Sequence, residues 1–393
     1  MSIFPTKSAA ETDRQAQLIA ALQTPASAAQ IGAKDLSASA QSERRSIARR
    51  QYIVVLLGLC LLLVLMALAG LMLGSVHIPA TTAIKILANA LLGDSVITPD
   101  WRHAHEVIVI QSRIPRVVLA AIVGGSLGAT GMTIQAIVRN PLAGPSILGV
   151  SSGAATGAVI VMRWGLIGFG VFTLHISAFL GGLITLAIVF WVARTGGQIT
   201  PTRLVLAGVA MSAILSALTS MIVLTSPDPQ LASRVLFWTL GGFGTAQWKL
   251  LPLPTITLFV GLIIMLLQAR RLNLLLAGDE SAIALGLDVA RFRKVMFLLT
   301  AALTGIMVSL AGVISFVGLI MPHIVRFLVG ADHRRALIAV TLTGASFTVA
   351  ADLLARTIIS PLELPVGIVT SLVGGPFFIW LLRRDARSQG LPK

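Results

Sequence analysis

Residues 294–335 read KVMFLLTAALTGIMVSLAGVISFVGLIMPHIVRFLVGADHRR, and the number of times this stretch crosses a bilayer decides the architecture. Basic residues mark both ends: Arg291, Arg293 and Lys294 at one, Arg334 and Arg335 at the other. Cytoplasmic flanks of membrane helices collect Lys and Arg, so both ends read as cytoplasmic and the chain must cross twice between them. At 1.5 Å per residue, about 40 residues cover two crossings of a ~30 Å hydrocarbon core. The turn is expected near Gly312–Gly318, in AGVISFVG.

Other apolar runs long enough to cross lie at 53–75, 114–138, 146–162, 171–193, 203–224, 250–268, 337–357 and 365–382. Together they predict an all-α polytopic membrane protein with about ten transmembrane helices and both termini cytoplasmic. Arg44, Arg45, Arg49 and Arg50, Arg139, Arg194 and Arg203, Arg270 and Arg271, and Arg383, Arg384 and Arg387 then all fall on one side. The 393 residues are 56% hydrophobic and 11% charged, against about 25% charged for a soluble domain. The net charge of +15 sits in short clusters between apolar runs, as topology signals do, which argues against nucleic acid. One cysteine, Cys60, lies inside an apolar run and excludes a disulfide framework. The first apolar run starts near Ile53, too far in for a signal peptide. Residues 1–50 read as a disordered cytoplasmic tail with one amphipathic turn near Gln17–Leu22, residues 51–385 as the transmembrane domain, and 386–393 as a short tail.

No Walker A, HExxH or GxSxG pattern and no paired-carboxylate site occurs. If ATP powers this chain, another chain binds it, and no catalytic or metal constellation is read here. His103 and His105, in WRHAHE, read as an extended loop pair that is either solvated or shares a metal. Gly124, Gly125, Gly128 and Gly131 suit close helix packing or a pathway wall. Asp352 and Arg356, four apart, face each other on a helix. They form either a self-neutralising pair or a holder that presents Arg356 outward. Segment 271–294 reads as two short helices with breaks at Ala277–Asp279 and Gly286–Asp288. It suits a soluble motor's grip or an interfacial helix. Arg113 and Arg116, in SRIPR, fall on the outer side, where basic residues are usually avoided.

Five stretches carry a resemblance: RIPRVVLAAIVGGSLGATG, QAIVRNPLAGPSILGVSSGAATGA, LLLAGDESAIALGLDV, AGVISFVGLIMPHIVRFLVGADHR and LELPVGIVTSLVGGPFFIWLL. In order along residues 113–382, they resemble the FecCD family, permease subunits of ABC importers for iron chelates and cobalamin. Gly144 stands where that family usually has an acidic residue. The resemblance implies the type II importer fold in the cytoplasmic (inner) membrane. It implies a second permease copy or a paralogue, a cytoplasmic ATPase dimer using ATP with magnesium, and an extracytoplasmic substrate-binding protein. It further implies binding-protein docking at Arg113, Arg116 and Arg356, and ATPase coupling through Gly278, Asp279, Glu280 and Gly286. A cytoplasmic gate would lie at Asn140 and Leu142, and a pathway wall at Gly149, Ser151, Ser152 and Gly153. No cofactor is expected on this chain. A ferric siderophore is the favoured cargo, ahead of haem and cobalamin. Outside this family, an ion-driven secondary transporter and an integral-membrane enzyme are the competing classes. The first normally needs ionisable groups near the midplane, and the second needs a catalytic constellation.

Overall fold

A computed structural model describes residues 25–74, 76–93, 99–195, 198–199 and 201–388. The chain divides into two units, 1–57 and 58–393. Helix α1 (Pro25–Met72) begins well inside the segment expected to be an unstructured tail. Residues 25–50 are rich in Ala and Arg, which favour helix. The amphipathic turn at Gln17–Leu22 and residues 389–393 lie outside the described residues.

Among the described residues, seven helical segments are long and apolar enough to cross a membrane: Arg49–Met72, His103–Val138, Gly170–Ala193, Thr202–Leu224, Trp248–Leu267, Val289–Ala311 and His333–Thr357. Three shorter apolar helices, Leu231–Leu240, Val317–Val329 and Val366–Leu381, accompany them. The decisive stretch divides into two helices, of which only the first is long enough to cross. Helix α12 (Val289–Ala311) stops at Gly312, whose φ is +69°, and α13 (Val317–Val329) starts after Phe316 at φ +67°. Left-handed backbone at both positions ends one helix and re-aims the next. Asp288 caps α12 by accepting from Arg291 N at 3.0 Å. Asp332 likewise caps α14 (His333–Thr357), accepting from Arg334 N at 3.1 Å.

Three further elements depart from the sequence expectation. Helix α2 (Ala80–Leu92) was not anticipated. It packs Ile78, Ala83 and Ile86 on Val109 and is tied by an ion pair from Lys85 to Asp100. That hydrogen bond holds the exposed Asp100 carboxyl below its ordinary range. Its small stabilisation is present at neutral pH and is lost as pH falls through the lowered value. The span expected at 114–138 begins eleven residues earlier: α3 (His103–Val107), a π turn (Ile108–Arg113) and α4 (Ile114–Val138) run on as His103–Val138. The wider π ring lets Pro115 enter without an amide hydrogen to donate. WRHAHE is therefore partly helical rather than an extended strand.

Helix α4 is buried along almost its whole length. It owes this to glycine: a Cβ on Gly124 would meet Thr348 Cβ at 2.6 Å, and one on Gly128 the Val340 carbonyl oxygen at 2.7 Å. Both partners lie on α14. The packing reading of this glycine row holds at those positions. Helices α5 (Val150–Trp164) and α6 (Thr173–Ala193) approach the same way through Gly153, Gly157 and Gly181. A small hairpin pairs β1 (Arg194–Thr195) with β2 (Gln198–Ile199). It leads into α7 (Pro201–Leu224) and the third unanticipated element, α8 (Leu231–Leu240). Then follow α9 (Pro252–Leu267), α10 (Ala269–Leu276), α11 (Asp279–Ala284) and, at the far end, α15 (Val366–Ser388). The breaks expected around 277–279 and 286–288 fall between α10, α11 and α12.

Candidate functional site

The last carbonyls of any helix lack intrahelical donors. At α1 they are met by arginine. Arg113 Nη1 donates to Leu71 O at 2.6 Å and Met72 O at 2.9 Å, and its Nη2 donates to Val76 O. Arg356 Nη2 reaches Gly70 O at 3.1 Å and its Nη1 Leu73 O at 3.3 Å. Positive charge at a helix C-terminus also opposes the macrodipole. Asp352 supplies the counter-charge, 3.1 Å from Arg356 Nε. Arg116 Nε donates to both Asp352 oxygens at 2.9 and 3.1 Å, while Arg116 Nη1 donates to Glu363 Oε2 at 2.8 Å. Arg113, Arg116 and Arg356 thus lie together at one end of α4, yet they are only 4%, 8% and 4% exposed. The Asp352–Arg356 pair does form, and what it holds Arg356 toward is the end of α1. The half-exposed Glu363 is the member of this cluster that sequence reasoning missed.

Beside this cluster lies a cavity of about 650 Å³ bordered by Arg116, Glu363, His175, Arg234 and Trp238. His175 Nδ1 is 2.7 Å from Ser309 O. A second groove of about 570 Å³ runs between α5, α7 and α8. Ser151 and Ser152 line it, opposite Ser216, Thr219 and Thr239. Two of these hydroxyls are engaged within the wall: Thr219 pairs with Thr156, and Thr239 donates to Val235 O. Gly149 and Gly153 do not line the groove. Gly149, at φ +75°, begins α5 against Gly208 and Thr185, and Gly153 abuts Thr185 of α6. Their positions on the helix turn them toward neighbouring backbone.

The opposite end of α4, about 37 Å away at 1.5 Å per residue, carries the expected gate and coupling residues. Arg139, at φ +54°, ends the helix, and Asn140 N closes back on Gln135 O at 3.2 Å. Asn140 Oδ1 accepts from Leu142 N at 2.8 Å, and both residues are exposed. Gly278 enters α11 at φ +110°, and Gly286 leaves it at φ +84°. Gly286 N and Leu287 N bond Ile283 O and Ala282 O, so the chain turns back there. Glu280 is exposed, whereas Asp279 is held by Arg293 at 2.7 and 2.8 Å. Asn273, Asp332 and His333 join α10 to the start of α14. Sequence reasoning also missed Ile283 and Leu285, apolar side chains 61% and 68% exposed near the exposed Glu280. Their signal was available as two large apolar residues in a segment too short to span.

At the other end, Glu106 accepts from Trp101 Nε1 at 3.2 Å. His103 and His105, two apart on one helical turn, point in different directions. Among the described residues no group of three His, Cys, Asp or Glu could hold a metal ion.

Comparison with known proteins completes the site. The hemin transport system permease protein of Yersinia pestis is 40% identical over 331 residues, 83% of this chain and 94% of its own length. The Fe(3+) dicitrate transport system permease protein FecD of Escherichia coli is 39% identical, covering 81% of this chain and 96% of its own. The cobalamin import system permease protein of Halobacterium salinarum is 42% identical, covering 72% and 75%. A solved ABC transporter of metal-chelate type, in an inward-facing conformation, superposes with a TM-score of 0.71 at 33% identity, covering 84% of this chain and 99% of that one. The model of the FecCD transport family matches residues 61–384, so the buried arginine cluster, the hydroxyl-lined groove and the clamped short helix are features of a chain that belongs to the FecCD transport family.

Proposed function

We propose that this chain is the membrane-spanning subunit of an ABC importer that carries a metal chelate inward across the cytoplasmic membrane, with a ferric siderophore as cargo. The observation that carries this reading is the pair Ile283 and Leu285, exposed at the end of the short helix α11. Large apolar side chains left in water mark a partner surface. A permease without a nucleotide-binding motif needs one. Two copies of the chain, ten spans each with termini inside, enclose the pathway, and an ATPase dimer grips α11 below. ATP binding and hydrolysis in that partner rock the spans so that the groove opens first outward and then inward.

A binding protein delivers cargo at the Arg113 end. The docking role of Arg113, Arg116 and Arg356 belongs to this proposal in a particular form. The buried arginines set the shape and positive charge of that end rather than reaching out from it. Haem and cobalamin are the alternative cargoes, because relatives at similar identity are named for each. An ion-driven carrier is less well supported, because the Arg116–Asp352–Arg356 network lies at the ends of α4 and α14 rather than at their middles.

Reconstitution with the ATPase and binding protein in liposomes tests the reading. ATP-dependent uptake of a ferric siderophore, and not of haem or cobalamin, is the expected result. Ile283→Glu with Leu285→Glu should release the ATPase on purification and lower uptake at least about tenfold, as loss of an interface anchor does. Uptake without ATP, or an undiminished complex with both substitutions, would overturn it.

A further inference from the structure

A six-residue helix has no stability of its own, so α11 keeps its place only through what it touches. Its own Ala282 is buried, and Asp279 anchors it through charge. Both carboxylate oxygens of Asp279 are taken by the guanidinium of Arg293 on α12: Nη2 to Oδ1 at 2.7 Å and Nη1 to Oδ2 at 2.8 Å. The third nitrogen, Nε, turns the other way and donates to Ile137 O at 3.0 Å. That carbonyl belongs to the last turn of α4 and has no donor within its own helix. Arg139, the residue that ends α4, returns to the same carboxylate, with its Nη1 3.7 Å from Asp279 Oδ1.

One planar group thus bridges three elements. Two parallel hydrogen bonds fix its orientation on α11, and a third bond from the same rigid plane fixes it on α4. The Arg293 side chain is only 13% exposed, so salt screens these contacts far less than a surface pair. Arg139, at the other corner, is followed directly by Asn140, Pro141 and Leu142. A displacement of α11 therefore cannot occur at fixed Arg293 without pulling on the end of α4 and the loop that leaves it. Glu280, on the same turn of α11, remains exposed, so the helix keeps a charged side for a partner while Asp279 faces the membrane domain.

We propose that Arg293 is the positioning residue that carries motion of α11 to the α4 exit and the Asn140–Leu142 loop, so that motor strokes and opening of the pathway stay in step. This rests on the reading above that an ATPase grips α11. It assigns Asp279 a new partner: the carboxylate serves the permease's own linkage rather than the motor.

The test separates linkage from mere bracing. In the reconstituted transporter, the quantity to read is cargo moved per ATP hydrolysed. Arg293→Ala should lower that ratio about tenfold, within the range of coupling changes seen for residues that touch neither ligand. Arg293→Lys keeps one bond to Asp279 but cannot also reach Ile137, and should fall between the two. Uptake and hydrolysis that decline in proportion, or a ratio that does not change, would overturn the proposal. A second measurement needs no transport. With Cys60→Ser, which removes the only cysteine, spin labels at Glu280→Cys and Leu142→Cys report the distance from α11 to the loop. A narrow distribution that broadens with Arg293→Ala is expected, and one that stays the same refutes the linkage. If the unsubstituted transporter shows no ATP-dependent uptake at all, the importer reading fails, and the distance measurement alone judges the clamp.

Discussion

Asp352→Ala is expected to destabilise the chain more than removal of any other single charge. The loss should be about 3–5 kcal/mol, the usual cost of leaving buried charge unpaired. Asp352 is 1% exposed and faces two arginines: Arg116 through Nε and Nη2, the latter at 2.9 Å, and Arg356 through Nε at 3.1 Å. Arg113 stands at the same end with its guanidinium on the carbonyls of α1. Without Asp352, three cations share one partly exposed carboxylate, Glu363, and two of them are also the cap of α1. The expected readout is a lower apparent melting temperature in detergent and loss of monodisperse protein. Glu363→Gln, by contrast, removes one bond from a half-exposed group and should cost less than about 1 kcal/mol. Adding Arg116→Leu to Asp352→Ala should recover part of the loss, because it removes the cation that depended most on that carboxylate. Additive losses in that double variant would mean that the two residues are not coupled.

This result bears on a question the sequence alone poses wrongly. Charge counting asks on which side of a membrane Arg113 and Arg116 lie, and it treats them as an exception to be explained by something outside. The structure explains them from inside. The end of α1 leaves carbonyls without donors, and arginine, with five donors on a planar fork, satisfies several at once. Nothing in the linear pattern links residues 70–76 to residues 113 and 356. The link exists only once α1, α4 and α14 are packed, so proximity was legible as a shared side but burial was not.

The rest of the fold divides along the same physical line. Features that depend on local chemistry were readable: the break at Gly312 and the two breaks on either side of α11. Glycine rows signalled close approach without naming the partner, so Gly149 and Gly153 were assigned to a pathway wall although their missing side chains admit Gly208 and Thr185. Helix α8 was invisible because ten residues are too few to cross, and Pro227, Pro229, Gly241 and Gly242 bracket it as loop signals would. Yet it forms one wall of the groove. The early start of the α3–α4 rod was hidden by the polar residues of WRHAHE, which suggest a loop until Trp101, Glu106 and Ile108 are seen packing on α2 and one another.

Gly131→Ala is the second large effect, and what the new methyl group meets decides its size. A Cβ there would lie 2.6 Å from the carbonyl carbon of Gly318 and closer still to the oxygen. Gly318 in turn is pressed between Leu127 O, 2.8 Å from its own absent Cβ, and the ring of Pro145 at 2.6 Å. The contact is backbone on backbone, so no rotamer change relieves it: α4 and α13 must separate, and the loop carrying Pro145 must follow. Overpacking that neighbours cannot absorb costs up to about 3 kcal/mol and sometimes more, and Gly131→Val should prevent recovery of folded protein. Two other glycines calibrate the claim. A Cβ on Gly261 meets the methyl groups of Leu303 at 2.6 and 2.7 Å, which can rotate away, whereas one on Gly58 meets nothing within 4 Å. Gly261→Ala should therefore be mild, and Gly58→Ala neutral or slightly stabilising, since alanine favours helix over glycine by about 1 kcal/mol. The predicted order of thermal stability in detergent is Gly58→Ala, then Gly261→Ala, then Gly131→Ala far below. Equal losses at all three would mean that helix propensity alone sets the cost. A tolerated Gly131→Ala would mean that α4 and α13 are free to part, and then the burial of α4 would not be what holds its two functional ends at a fixed separation.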